Sequence, residues 1–253
     1  MKLSNEKLRF IIIRTIGNFF LLFSIWGMAM TFGPALYMEA VYRINQVRNI
    51  RYTVAQIFPT PIPKPKEIID KRRFVVTPSP TPTVVQTTFF GQLTGGDKVE
   101  ILSPVSSQFG LVIPKIGANA PVLPNIDAGN SDLYLAALQK GVAHAFGTVF
   151  PGVTGNIFLF AHSTDSFWNV GRYNAIFFLL KELENGDEVD IFYKGRRYIY
   201  RVVNKIIVDP SEVRYLTETT PYEQLTLQTC WPPGTTLKRL IILARPEKDL
   251  DRG

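Results

Sequence analysis

Hydrophobic and polar positions fall into two regimes along the chain. From Thr15 to Met38 the side chains are almost continuously apolar and none is charged, with Phe19, Phe20, Leu21, Leu22, Phe23, Ile25 and Trp26 at the centre. At about 1.5 Å per residue this segment is long enough to cross a hydrocarbon core of roughly 30 Å, and it predicts a transmembrane helix over 15–38. A cleavable signal peptide is the rival reading, but its apolar region usually runs only about 7 to 15 residues, and no convincing small-x-small cleavage site follows here. From about Gly96 onward the regime changes to short, β-rich runs in which apolar and polar positions alternate between frequent turn signals. That pattern predicts one β domain, a barrel or a sandwich.

The segment between the two regimes is neither. Val41, Ile44, Val47, Ile50, Val54 and Ile57 recur near helical spacing with Arg43, Arg48 and Arg51 between them, which predicts a short juxtamembrane helix. Two proline-alternating tracts follow, Pro59 to Pro65 and Thr77 to Thr83, whose fixed φ angles favour extended polyproline II and the role of a spacer. Lys71, Arg72 and Arg73 form a basic cluster between them, read as a solvated or lipid-facing patch. Lys2, Lys7, Arg9 and Arg14 precede the apolar segment, so basic residues on its two sides nearly balance. Because long following domains translocate largely regardless of such charges, the expected topology is single-pass, with 1–14 a cytoplasmic tail and the β domain outside.

Within the β domain the candidate strands are Gly110 to Ile113, Ala120 to Leu123, Val142 to Ala145, Asn156 to Ala161, Glu188 to Tyr193, Arg197 to Val208, Leu225 to Thr229 and Lys238 to Ala244. Lys194-Gly195-Arg196 supplies a hairpin turn. Asn130 or Ser131 caps a predicted helix from Asp132 to Gln139, and a second helix is predicted from Asn174 to Leu183, before Asn185-Gly186.

The chemistry concentrates in Leu225 to Leu243. Period-2 alternation puts Leu225, Leu227 and Thr229 on one strand face and Thr226, Gln228 and Cys230 on the other, so the single cysteine shares the polar face. Trp231-Pro232-Pro233-Gly234 breaks the strand, and the next apolar run carries Arg239 on the face of Ile241 and Leu243. A thiol of ordinary pKa near 8.5 is mostly protonated at neutral pH, so a nucleophilic cysteine needs a base or cation beside it. The chain has only two histidines. His144 lies in a strand leading to a glycine turn, where a structural role fits; His162 ends a strand and opens a polar segment, where a cleft-facing role fits, with Asp165 a candidate orienting group. Structural roles for both histidines remain open at this stage, as do three roles for Arg239: surface charge, salt bridge, or donor to a developing oxyanion.

Composition narrows the alternatives. At 46% hydrophobic with three tryptophans, the β region can bury a core. The net charge of +7 is spread along the chain without basic runs interleaved with aromatics, which argues against nucleic-acid binding and suits an anionic membrane or wall surface. One cysteine excludes an intrachain disulfide and any CxxC site. No phosphate-binding glycine loop, HExxH pair or EF-hand loop is present in the sequence.

Three ordered stretches, LVIPKIGANAPVLP (Leu111 to Pro124), GVAHAFGTVFPGVTGNIFLFAHS (Gly141 to Ser163) and TLQTCWPPGTTLKRLII (Thr226 to Ile242), resemble successive signatures of the sortase family. The resemblance covers roughly 109–245. It implies a mainly β fold, an eight-stranded sortase-type β-barrel with short helices, preceded by the membrane helix and a Pro-rich linker over 39–96. It further implies a catalytic domain over 97–248, followed by a short tail at 249–253. The implied activity is that of an extracellular, membrane-anchored cysteine transpeptidase. Its partners would be surface proteins bearing a C-terminal LPxTG-like sorting signal, and an amine acceptor on a peptidoglycan precursor or a pilin lysine. By position Cys230 matches the family's nucleophile, His162 its catalytic histidine, Arg239 its catalytic arginine, and His144 a non-catalytic histidine. The loop from Asp209 to Gln224 corresponds to the region that cradles the signal, making Val213, Tyr215, Leu216, Thr229 and Trp231 candidate substrate contacts. The short Cys-to-Arg connection resembles class D or class E members. No carboxylate cluster matches the calcium site of some members, so neither metal nor cofactor is expected.

Overall fold

The computed structural model describes residues 5–54, 98–163, 173 and 175–250. The two proline tracts, the Lys71–Arg73 cluster, Asp165 and Asn174 lie outside the described residues.

Helix α1 (Asn5–Val47) contains a stretch, Glu6–Met30, long and apolar enough to cross a membrane, and none of that stretch is covered by the rest of the protein. The membrane helix and the juxtamembrane helix expected on either side of Met38 are one element. It continues without interruption to Val47, and on the way Tyr42, 7% exposed, enters the core of the β domain with Met38 packed beside it.

The helical spacing traced through Ile57 is overturned beyond Val47. Asn49 adopts φ 50°, the left-handed geometry that ends helices, and β1 (Ile50–Val54) follows. Ile50 and Val54 satisfy the helical i,i+4 spacing and, with Tyr52, strict alternation as well, and a partner strand decides between them. That partner is β2 (Lys98–Leu102), absent from the sequence reading, which pairs with β1 in parallel from Ile50↔Lys98 to Val54↔Leu102. Val54 and Leu102 then pack with Val112 and Phe192.

The barrel itself follows the expected strands, five of them extended by one to three residues at one or both ends, two unchanged and β6 shifted by one residue: β3 (Phe109–Ile113), β4 (Ala118–Ile126), β5 (Val142–Ala145), β6 (Gly155–Phe160), β7 (Glu188–Tyr193), β8 (Arg196–Val208), β9 (Glu223–Trp231) and β10 (Lys238–Pro246). They close in the order β10-β8-β7-β3-β4-β5-β6-β9. The β4–β5 and β6–β9 pairs are parallel and the remaining pairs antiparallel. Closure removes free sheet edges, and the interior is filled by alternate residues such as Leu111, Ile113, Ile157, Leu159, Leu225, Leu227, Leu240 and Ile242, all buried.

Helix α2 (Ser131–Leu138) lies one residue before its predicted bounds, with the Asn130 side chain accepting from Leu133 N at 3.3 Å. The second predicted helix is instead a short 3-10 helix, Phe178–Glu182, whose Phe178, Leu179 and Leu180 are buried. Three adjoining apolar side chains cannot share one stripe of an α-helix, and the tighter turn directs them around the barrel end. Helix α3 (Arg214–Thr217) lies in the β8–β9 connection, and α4 (Glu247–Leu250) follows β10.

Two buried polar groups brace the strands. The Glu223 carboxylate, 7% exposed, accepts from Tyr200 Oη at 2.6 Å and Gly152 N at 2.8 Å. Asp190 accepts from Arg197 Nε at 2.8 Å, while Arg197 Nη2 donates to Glu188 at 2.8 Å.

Candidate active site

Strand register assembles the three candidate catalytic residues. Antiparallel pairing sets Arg239 of β10 directly across from Cys230 of β9. Parallel pairing on the other side of β9 sets Phe160 of β6 against Gln228, so His162, two residues on, falls at the level of Cys230. The extension of β6 is held by real bonds: Ala161 N donates to Gln228 O at 3.2 Å and Thr229 Oγ1 donates to Ala161 O at 2.9 Å. Neighbouring strands lie about 4.8 Å apart, and residues at one level share a face, so imidazole, thiol and guanidinium leave the same side of the sheet.

That side is the outer face of the barrel. Leu225 and Leu227 point into the core, as the alternation predicted, while Gln228 and Cys230 face a cleft of about 1170 Å³. Phe158, Phe160 and Gln228 form its floor, Tyr134, Leu135 and Leu138 of α2 one wall, and His162, Cys230 and Arg239 all open into it. His162 and Cys230 are both half-buried. Arg239 Nη1 donates to the carbonyls of Thr236 and Lys238, each at 3.1 Å, and among the described residues no carboxylate pairs with the guanidinium. Its remaining N–H donors are thus uncommitted to an anion. Such a group can answer negative charge that develops near the thiol.

The turn that delivers Arg239 is compact. Pro232 O accepts from Thr235 N at 3.0 Å and from Thr235 Oγ1 at 2.8 Å, and Gly234 takes φ 81°, which a side chain would oppose. The short Trp-Pro-Pro-Gly connection therefore closes directly from β9 into β10 without a long loop over the thiol.

Of the candidate substrate contacts, Val213, Leu216 and Thr229 line the cleft with the three catalytic candidates. Tyr215 and Trp231 do not line it. Tyr215 acts through its backbone: its carbonyl accepts from Asn156 Nδ2 at 2.7 Å, and Asn156 Oδ1 in turn accepts from Thr226 Oγ1 at 2.7 Å. Trp231 follows Cys230 on the strand and so points to the opposite face, where it packs on the core. The Asn156–Thr226 pair was missed in the sequence, although two polar residues at alternating positions of otherwise apolar strands were the available signal. It pins the β8–β9 connection across the barrel's outer face.

His144 is wholly buried and away from the thiol. Its Nδ1 accepts from Asn125 N at 3.3 Å, which leaves the proton on Nε2 facing Val149 O at 3.0 Å. Burial holds its pKa below the ordinary 6.5, keeping the ring neutral and stacked on Phe150 at 4.6 Å. It is a loop-bracing residue, as its sequence context suggested. Among the described residues no group of three or more His, Cys, Asp or Glu side chains is placed to hold a metal ion.

A family model described as the sortase domain matches residues 111–247. The chain belongs to the sortase family. Sortase D of Bacillus subtilis (strain 168) is 31% identical over 138 residues, covering 53% of this chain and 61% of that protein. Sortase A of Streptococcus agalactiae serotype III (strain NEM316) is 29% identical over 140 residues, covering 55% of this chain and 52% of its own length. The chain thus spans between half and two thirds of these curated relatives. Among solved structures, sortase C-1 from Actinomyces oris is 26% identical, with 56% of this chain and 75% of that one covered at a TM-score of 0.46. Sortase A from Corynebacterium diphtheriae is also 26% identical, with 55% and 60% covered and a TM-score of 0.46. The matched sortase region contains His162, Cys230, Arg239 and every barrel strand, β3 from Leu111 onward. Helix α1, β1 and β2 lie outside it.

Proposed function

We propose that the protein is a membrane-anchored cysteine transpeptidase that cleaves an LPxTG-like sorting signal and transfers the surface protein to an amine acceptor, a peptidoglycan precursor or a pilin lysine. The observation that carries this reading is the single level at which the register sets His162, Cys230 and Arg239, opening together into one cleft. The Cys230 thiolate attacks the carbonyl carbon of the signal's threonine, and the negative charge that develops on that oxygen is met by Arg239. The tetrahedral intermediate collapses by breaking the peptide bond, and His162 as imidazolium gives its proton to the departing amine. A thioester between Cys230 and the threonine remains. A second amine attacks it, His162 takes up that amine's proton, and the thiolate is regenerated. No cofactor or metal enters these steps.

Under this reading α1 holds the enzyme in the membrane with the N-terminus inside and the barrel outside; the anchor is supported by Glu6–Met30, a stretch long and apolar enough to cross, which begins and ends before the expected 15–38. The short Cys-to-Arg turn favours a class D-like or class E-like member. Two other readings stay distinguishable by experiment: an endopeptidase in which water resolves the thioester, and a non-catalytic anchored β module.

The test is to incubate the full chain in nanodiscs with a library of pentapeptide signals, with and without supplied amines, and follow products by mass spectrometry. Amine-bearing product supports transfer; cleaved peptide that never carries the amine means hydrolysis. No Cys230-dependent acyl mass with any peptide overturns the catalytic reading.

A further inference from the structure

Leu36 and Glu39 of α1 line the same cleft as Cys230, although they stand outside the matched sortase region. The helix is fixed there by more than one contact. Tyr42 is buried in the barrel core, Glu39 Oε2 lies 2.9 Å from Lys181 Nζ, and Arg43 reaches Glu39 at 2.9 Å and Glu182 at 3.5 Å. Phe178 and Lys181, which also line the cleft, belong to the 3-10 helix. Just before that helix, Phe177 N donates to the His162 carbonyl at 3.3 Å. The α1 wall therefore adjoins the His162 side of the cleft.

Thr15 to Met38 carries no charged side chain, so Glu39 is the first charged residue beyond the apolar segment and, with Leu36 about one turn before it, stands where the helix leaves the membrane.

We propose that this end of α1 is part of the substrate site, the wall along which the peptide beyond the scissile bond lies. The anchor then does more than tether the enzyme. It delivers to His162 a leaving segment that approaches from the membrane surface, an extended polypeptide with an apolar side chain against Leu36 and Phe178. The two acids and two bases of the Glu39–Arg43–Lys181–Glu182 cluster balance, so the wall asks for no net charge in its occupant. This inference rests on the transpeptidase reading, which makes His162 the donor to the leaving amine.

Two measurements on the full chain in nanodiscs test it, using the pentapeptide that acylates Cys230 fastest, extended by four residues beyond the scissile bond. With benzophenone on the third added residue and the Cys230→Ala protein, irradiation should place adducts on residues 36–39. Adducts confined to other segments overturn the inference. Kinetically, Leu36→Trp should raise KM for the extended peptide about fivefold more than it raises KM for the unextended pentapeptide, with kcat held. Equal KM values for both peptides in variant and parent overturn it as well. If no peptide acylates Cys230 at all, the transpeptidase reading fails and takes this inference with it; acylation with an inert helix wall sinks the inference alone.

Discussion

Arg239 and Cys230 are directly opposed residues on neighbouring antiparallel strands, so the guanidinium and the thiol leave the same face of the barrel at the same level. Two backbone carbonyls of the turn orient the guanidinium, and among the described residues no carboxylate pairs with it. A lysine at this position keeps the charge but loses the planar fork held by Thr236 and Lys238. Arg239→Lys is therefore expected to lower kcat by about 10²-fold, the usual scale for one oxyanion donor, with KM changed little. Steady-state kinetics checks this, and retention of most of the kcat would remove Arg239 from the chemistry.

The Asn156 side chain holds the β8–β9 connection by its bond to the Tyr215 carbonyl. Asn156→Ala leaves that carbonyl and the Thr226 hydroxyl without their partner and should cost about 1–3 kcal/mol of stability. Because Val213 and Leu216 ride on the same connection, KM should rise more than kcat falls. Urea denaturation with parallel kinetics on the variant reads both effects.

Tyr42 belongs to helix α1 yet is buried in the barrel core. A truncated protein beginning at residue 98 should therefore be less stable than one beginning at residue 36. Loss of the Tyr42 burial alone corresponds to about 1.5–3 kcal/mol, with further loss where Val54 no longer covers Val112 and Phe192. Thermal unfolding of the two truncations makes the comparison, and equal midpoints would mean that the helix contributes nothing to the barrel.

Much of this was legible beforehand, and the reason is local. The eight barrel strands were visible as short β-rich runs between turn signals, and where a strand is half-buried its alternation shows as well; Leu225 and Leu227 inside against Gln228 and Cys230 outside is the clearest case. His162 was separable from His144 because it ends a strand. The β1–β2 pair, the docking of Tyr42 and the Asn156–Tyr215 bond were not legible. Each joins residues far apart in the chain, and Ile50 to Val54 fits helix and strand periods about equally until β2 supplies a partner.

Stability should carry two opposing pH dependences. Burial, partly offset by Arg197, raises the Asp190 carboxyl from 3.8 to about 7. The folded state then binds that proton more tightly than the unfolded chain, so its contribution to stability falls as pH rises from about 4 to about 7. His144, held neutral below its ordinary 6.5 by burial, works the other way, and its contribution is lost as pH falls below about 6.5. Replacing Asp190 by Asn removes only the first effect. The stability of Asp190→Asn relative to the parent should therefore improve steadily between about pH 4 and pH 7, measured by urea midpoints at constant salt; a constant difference would contradict the assignment.

The most direct test of the whole reading is the mass of the enzyme itself. The full chain in nanodiscs, quenched in acid seconds after mixing with its preferred sorting-signal peptide, should carry an acyl adduct equal to the peptide up to its threonine. That adduct should map to Cys230, be absent from Cys230→Ala, and disappear on addition of an amine that is recovered in the product. A parent protein that stays unmodified across the peptide library, or an adduct that survives in Cys230→Ala, would contradict it.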